Sequence, residues 1–341
     1  METKSLQAVG QRLSEWKRIA LFSHARPDGD ALGSIGALQR TLNATGKTAT
    51  AFVYEAPPAR YGFLGISPDL QLWTDDAASR AQDNFDGLCI LDTCSWKQLE
   101  PVEPFLRSTA LPRAVIDHHA THDDITGQSA DVTYAIAASA ASTCQLVAKL
   151  CEIMRWPIDA TAGEALLAGM TTDTGWFRFS NTDADALRAA ATVLDTGVRP
   201  DVLYARLYET RTAARLRLKL RVFATLELHA DDALATQSLT RKMLDESGAV
   251  RSDSEDLVNE PMETQSVCVS LLFSDIDNGR VRVNFRSKSP EVCGRDVDVS
   301  ALAKQFDGGG HHRAAGAWLE GSIGQVRDIV IPAVIKALKQ S

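Results

Sequence analysis

The chain has 341 residues, 45% hydrophobic and 23% charged, a composition that supports buried cores in two domains and excludes a disordered or fibrous chain. Its formal net charge of −8 excludes a general duplex-binding surface, which needs a basic excess. It leaves room for a small anionic substrate, because a metal site and a few arginines supply positive charge locally.

In chain order, residues 1–17 read as an amphipathic helix, and apolar strand-like runs follow at 18–23, 49–54, 87–92 and 113–117. Helical patterns occupy 31–45, 138–154, 160–171 and 183–196. Alternation of the two types predicts a parallel α/β sheet with helices on both faces, whose ligands gather at the carboxyl ends of the strands. Gly197 and Pro200 then punctuate the chain, and 201–220 keeps apolar residues at helical spacing, as a connecting helical segment would. The texture changes after that. Strands are expected at 222–229, 233–239, 266–273 and 280–285, several in hairpin order, with helices at 300–306 and 323–338. The expected organisation is a parallel-sheet domain over 1–196, a helical linker over 197–220 and a smaller mixed α/β domain over 221–341.

Six cysteines, at 89, 94, 144, 151, 268 and 293, form no C-x-x-C pair and no zinc-like spacing, so free thiols in a reducing compartment are expected. The N-terminus has no apolar signal core, and no run approaches the roughly 20 residues that span a bilayer. The expectation is a cytoplasmic protein with no membrane attachment.

The chemistry-bearing residues recur at the ends of apolar runs. His24-Ala-Arg-Pro-Asp28-Gly-Asp30 places one imidazole and two carboxylates in a tight turn. Asp92 closes the run Leu-Cys-Ile-Leu, Asp117-His118-His119 closes Ala-Val-Ile, and Asp173 lies in Met-Thr-Thr-Asp-Thr-Gly after a helix. A single Asp at such a place is usually a cap or turn residue. Four such clusters, one with paired imidazoles, point instead to one hard-metal site assembled from several loops. Carboxylates with one or two imidazoles suit Mn²⁺ or Mg²⁺, with Co²⁺ or Zn²⁺ as substitutes. Two ions about 3.5–4 Å apart suit hydrolytic phosphoryl chemistry.

These residues, with Gly33-Ser34 after Asp30, resemble the four motifs of the DHH phosphoesterase superfamily. The resemblance implies that His24, Asp28 and Asp92 hold one Mn²⁺. It implies that Asp30, Asp92, His118 and Asp173 hold a second, with Asp92 bridging. It makes His119 the group that contacts the scissile phosphate, and Asp117 the partner that orients an imidazole.

A second feature is Phe306-Asp-Gly308-Gly309-Gly310-His311-His312-Arg313-Ala-Ala-Gly316. Consecutive glycines can turn backbone N–H groups into an anion-binding nest, and His311 and Arg313 add donors. Arg286, at the end of a strand, can clamp a phosphate. The run resembles the DHHA1 domain, and length and domain order resemble the NrnA-like nano-RNase and 3′-phosphoadenosine 5′-phosphate phosphatase group. That resemblance implies that Arg286, Gly309, Gly310 and His311 grip the far end of a short substrate while the first domain cuts it. It also implies a homodimer. Two departures stand out: Gln145 where relatives commonly carry Glu, and His312 in place of a frequent Pro. Trp176, Phe177 and Phe179 either pack in the core or stack on a base.

The expected function is a manganese-dependent phosphodiesterase that converts short oligoribonucleotides and linear dinucleotides to mononucleotides, by in-line attack of a bridging hydroxide. It would also dephosphorylate 3′-phosphoadenosine 5′-phosphate. The alternatives are a soluble cyclic-dinucleotide phosphodiesterase and a non-catalytic nucleotide-binding regulator.

Overall fold

The computed structural model describes residues 2–277 and 279–341. Close contacts divide the chain into two units, one ending at Thr210 and the other beginning at Arg211. Among the described residues no helix is long and apolar enough to cross a membrane.

The first unit carries helices α1 (Glu2–Glu15), α2 (Gly29–Ala44), α3 (Asp75–Asn84), α4 (Glu103–Ser108), α5 (Thr143–Met154), α6 (Ala160–Asp173), α7 (Ala184–Leu194) and α8 (Pro200–Tyr208). Its strands are β1 (Arg18–Phe22), β2 (Thr48–Val53), β3 (Gln71–Leu72), β4 (Gly87–Leu91), β5 (Arg113–Asp117) and β6 (Val132–Ile136). All strand pairs are parallel and the order is β3-β2-β1-β4-β5-β6. Both faces are covered, so every residue of β4 and β5 is buried, which is why β4 and the Ala-Val-Ile centre of β5 read as apolar runs. One core packs α1, α2, α5 and α6 on one side, and a second, with Phe22, Phe52 and Leu106, fills the other. The strand order reverses between β1 and β4, so their carboxyl ends open the crevice where ligands of such sheets bind.

Two helices meet closely beneath that crevice. A Cβ on Gly33 of α2 would come within 2.4 Å of the Ala165 carbonyl oxygen of α6, and one on Gly169 of α6 within 2.9 Å of Asp30 Cα. Glycine at both positions is what allows α6 to approach α2 and Asp30.

The second unit carries α9 (Ala213–Phe223), α10 (Arg241–Ser247), α11 (Pro290–Cys293), α12 (Val299–Lys304) and α13 (Ile323–Gln340). Its strands are β7 (Glu227–His229), β8 (Leu234–Thr240), β9 (Val269–Asp277), β10 (Arg280–Ser287), β11 (Gly309–His311) and β12 (Ala314–Glu320), in the order β11-β12-β10-β9-β8-β7. Among the described residues of this unit only the β8–β9 pair is parallel. Val281, Val283 and Phe285 alternate along β10 and share one core with Val326, Val330 and Val334 of α13.

The expected fold class holds, and several elements differ in extent. Of the helix expected over 1–17, residue 1 lies outside the described residues and the helix ends at Glu15. The helix expected from 138 starts at Thr143, because Ser142 is extended and its hydroxyl accepts from Gln145 N–H as an N-cap. The strand expected over 222–229 is only Glu227–His229. Leu218 and Val222 are buried four residues apart, so helix α9 runs through that stretch to Phe223.

Candidate functional site

In the first unit every sequence-derived ligand lies at the carboxyl side of the sheet. His24 follows β1 and Asp28 is the N-cap of α2, its Oδ1 accepting from the N–H groups of Asp30 and Ala31 at 3.0 and 3.1 Å. Asp30 sits in the first turn of α2, Asp117 ends β5, and Asp173 ends α6. Asp92 follows β4 in the left-handed region, φ 62°, a conformation Asp tolerates better than most residues and one that concentrates at functional sites.

These side chains converge. His24 Nε2 lies 3.9 Å from Asp28 Oδ1 and 3.5 Å from Asp92 Oδ2. His118 Nε2 lies 3.3 Å from Asp173 Oδ2, 3.5 Å from Asp92 Oδ1 and 3.8 Å from Asp30 Oδ2. Three groups of donor atoms each fit within 4.8 Å: His24, Asp28 and Asp92; Asp30, His118 and Asp173; and Asp92, His118 and His119. The two oxygens of Asp92 thus face different imidazoles.

The electrostatics are unbalanced. Burial first, then the carboxylates of Asp92 and Asp173, push Asp30 well above the usual range. Burial, then Asp28, pushes Asp92 up to about 8. For His118 burial opposes the charged ring, but the hydrogen bond to Asp173 and the charges of Asp30 and Asp92 outweigh it and hold the ring near 9. Burial lowers His24. Crowded, buried carboxylates with imidazoles between them form an oxygen-rich donor set that fits hard divalent cations.

Raised groups hold protons in the folded chain that the unfolded chain releases, so their stabilisation is complete at low pH and lost as pH climbs through 8 to 9. Metal binding needs the carboxylates ionised and the imidazoles neutral. The metal-free protein should therefore lose stability from about pH 6 to about pH 8.5, and the rise in Tm on adding Mn²⁺ should be larger at the upper pH by on the order of 5 °C. Thermal melts with Mn²⁺ and with EDTA at both pH values check this; an increment that shrinks with pH contradicts it.

His119 is more exposed than His24 or His118, with 43% of its side chain exposed, although its ring centroid lies 4.5 Å from that of His118. Its Nδ1 is 2.7 Å from Asp117 Oδ1, a buried carboxylate that also accepts the His119 N–H. That bond, and then the Asp117 charge over the cost of burial, raises the imidazole above its ordinary value. The Asp117 bond thus orients the ring and leaves Nε2 for the site.

Sequence reasoning missed the N-terminus of α5. The N–H of Thr143 donates to Asp30 Oδ2 at 2.6 Å and that of Cys144 to Asp30 Oδ1 at 2.8 Å, while Thr143 Oγ1 donates to Asp92 Oδ1 at 3.0 Å. A helix start offers unpaired N–H groups and positive dipole, which offset the burial of Asp30. The only sequence signal was the Ser142 cap. Gln145 Oε1 accepts from Ala141 N–H at 2.8 Å and tightens the same helix start. Trp176 and Phe177 pack on the core, both at φ 61°, whereas Phe179 is 54% exposed.

In the second unit the glycine run is a strand instead of the expected nest. β11 pairs with β12, Gly309 opposite Gly316 and His311 opposite Ala314. The run is glycine because the strands crowd: a Cβ on Gly308 would meet the Gly316 oxygen at 2.3 Å, and one on Gly310, at φ 145°, the Ala314 oxygen at 2.5 Å. A Cβ on Gly309 meets nothing within 4 Å, so only that glycine faces open space. Register puts His311 and Arg286 on either side of Ala314. Arg313 is instead tied to Asp296 at 2.6 Å, and His312 reaches the same carboxylate at 3.0 Å.

Comparison with known proteins follows this division. A profile described as the DHH family N-terminal domain matches residues 18–170, and one described as the DHHA1 domain matches 232–340. The chain is 31% identical over 326 residues to the bifunctional oligoribonuclease and PAP phosphatase NrnA of Thermus thermophilus, covering 95% of this chain and 91% of that protein. It is 25% identical to the Bacillus subtilis protein of the same name, over 93% of each chain. A crystal structure of an exopolyphosphatase-related protein from Bacteroides fragilis superposes with a TM-score of 0.76 at 25% identity, covering 99% of this chain and 96% of that one.

Proposed function

Because this chain belongs to the DHH–DHHA1 phosphoesterase family, we propose that it is a divalent-metal-dependent phosphodiesterase that hydrolyses short oligoribonucleotides to mononucleotides and removes the 3′-phosphate of 3′-phosphoadenosine 5′-phosphate. The observation that carries this reading is the convergence of His24, Asp28, Asp30, Asp92, His118 and Asp173 at the point where the strand order reverses. The relatives of that named activity align over more than nine-tenths of the chain. Catalysis belongs to residues 1–196 and substrate grip to 221–341, joined by the helical segment 197–220.

His24, Asp28 and Asp92 would hold one ion, and Asp30, Asp92, His118 and Asp173 a second, Mn²⁺ being the proposed metal. Bound divalent ions supply an activated water and neutralise the oxygens of the scissile phosphate. The chain's own groups do the rest. Asp92 shares its two oxygens between the clusters and fixes their separation. Thr143 and the start of α5 hold Asp30 and Asp92 in place. Asp117 keeps the proton on His119 Nδ1 and sustains the charged ring. His119 presents Nε2–H to the phosphoryl oxygen on which charge develops. In the second unit, Arg286 and His311 hold a distal phosphate.

Product analysis tests the reading. End-labelled RNA of two to seven nucleotides, 3′-phosphoadenosine 5′-phosphate, cyclic di-AMP, pyrophosphate and polyphosphate are incubated with the protein and Mn²⁺, beside His118→Ala. Mononucleotides from the shortest RNAs, and AMP from the bisphosphate, are expected, and both should vanish in the variant. Turnover of cyclic dinucleotide or pyrophosphate alone would overturn the substrate assignment.

A further inference from the structure

The second-unit sheet is covered by α12 and α13 on one face, while on the other α9, α10 and residues 257–263 pack over β8 and β9. Over β10, β12 and β11 that second face carries exposed or half-exposed residues. Strand register arranges them in rows: His311, Ala314 and Arg286; Gly309, Gly316 and Asn284; then Trp318 and Arg282. The middle row is a floor with little side chain. A Cβ on Gly309 would meet nothing within 4 Å, and one on Gly316 only the Val283 oxygen at 3.5 Å.

Trp318 closes one end of this trough and is 36% exposed. The guanidinium carbons of Arg280 and Arg282 lie 5.7 and 5.6 Å from its ring centroid, a cation–π arrangement. Arg280 also pairs with Glu320 at 3.0 Å. The charges that act on Arg286 are Asp256 and the like charge of Arg282, so with Arg280 three guanidiniums share this face. An exposed indole beside arginines, on a face with an arginine and an imidazole at its far end, matches how proteins bind single-stranded nucleotides: cations on the phosphate and an aromatic ring on the base.

We propose that Trp318 is a base-stacking residue, which receives the purine or pyrimidine of the nucleotide whose phosphate lies on the Arg286–His311 row. Four strand positions separate that row from Trp318, about 13 Å along the backbone. The long arginine and tryptophan side chains reduce this to the reach of one nucleotide. The inference deepens the nucleotide-processing reading and rests on it for the ligand class.

Binding to the full-length protein in EDTA tests it, since chelation removes the metal-dependent mode and needs no turnover. AMP and ribose 5-phosphate are titrated calorimetrically into wild type, Trp318→Ala and Trp318→Phe. The expected result is roughly tenfold weaker AMP binding in Trp318→Ala, near wild-type binding in Trp318→Phe, and ribose 5-phosphate unaffected. AMP binding unchanged by Trp318→Ala, or equal weakening of both ligands, would overturn the proposal. A protein that binds AMP through Trp318 yet cuts no oligonucleotide would refute the catalytic reading and leave this one standing.

Discussion

Asp92→Asn should lower kcat on a trinucleotide by about 10³-fold or more, because the variant removes the one charge that both clusters share. Asn suits the position in other respects. It tolerates the left-handed backbone at φ 62°, and its Oδ1 still accepts from Thr143 Oγ1. Burial and the Asp28 carboxylate already disfavour the Asp92 charge, so the metal-free variant should melt a few degrees above the metal-free wild type, while bound metal falls. Steady-state kinetics, melting curves and metal analysis together check this. Lost activity with a lower metal-free Tm and full metal content would mean that Asp92 is merely structural.

His119→Ala should lower kcat by about 10²–10³-fold without changing bound metal, since the ring is held by Asp117 and is not needed to complete either main cluster. Asp117→Asn should cost about 10–100-fold, as expected when a partner that orients an imidazole is lost. It should also move the alkaline fall of kcat to lower pH, because the raised value of His119 depends first on that bond. A His119→Ala enzyme that loses metal along with activity would make His119 a ligand and contradict the assigned role.

Much of the first unit could be read directly because a parallel sheet covered on both faces makes its central strands continuous apolar runs. β4 and β5 announce themselves in this way, and each delivers its ligand at the next residue or two. β6 escaped because it lies at the sheet edge with four of five residues only half-buried, leaving neither a run nor an alternation. α3 escaped because only Ala81 is buried, so it has no apolar stripe. The parts of the site that escaped work through backbone or register. Thr143 and Cys144 act on Asp30 by their N–H groups, which any residue could supply. The glycine run looked like a turn because composition cannot distinguish a nest from two strands forced close together. Trp318 became a candidate only when pairing set it opposite Arg282.

The central claim is a dinuclear centre built by six side chains at the β1–β4 crevice. Anomalous diffraction at the manganese edge, from crystals grown with Mn²⁺, tests it most directly. The account predicts two peaks about 3.5–4 Å apart, one against His24, Asp28 and Asp92 and the other against Asp30, Asp92, His118 and Asp173. A single peak, or manganese bound away from Asp92, would contradict it.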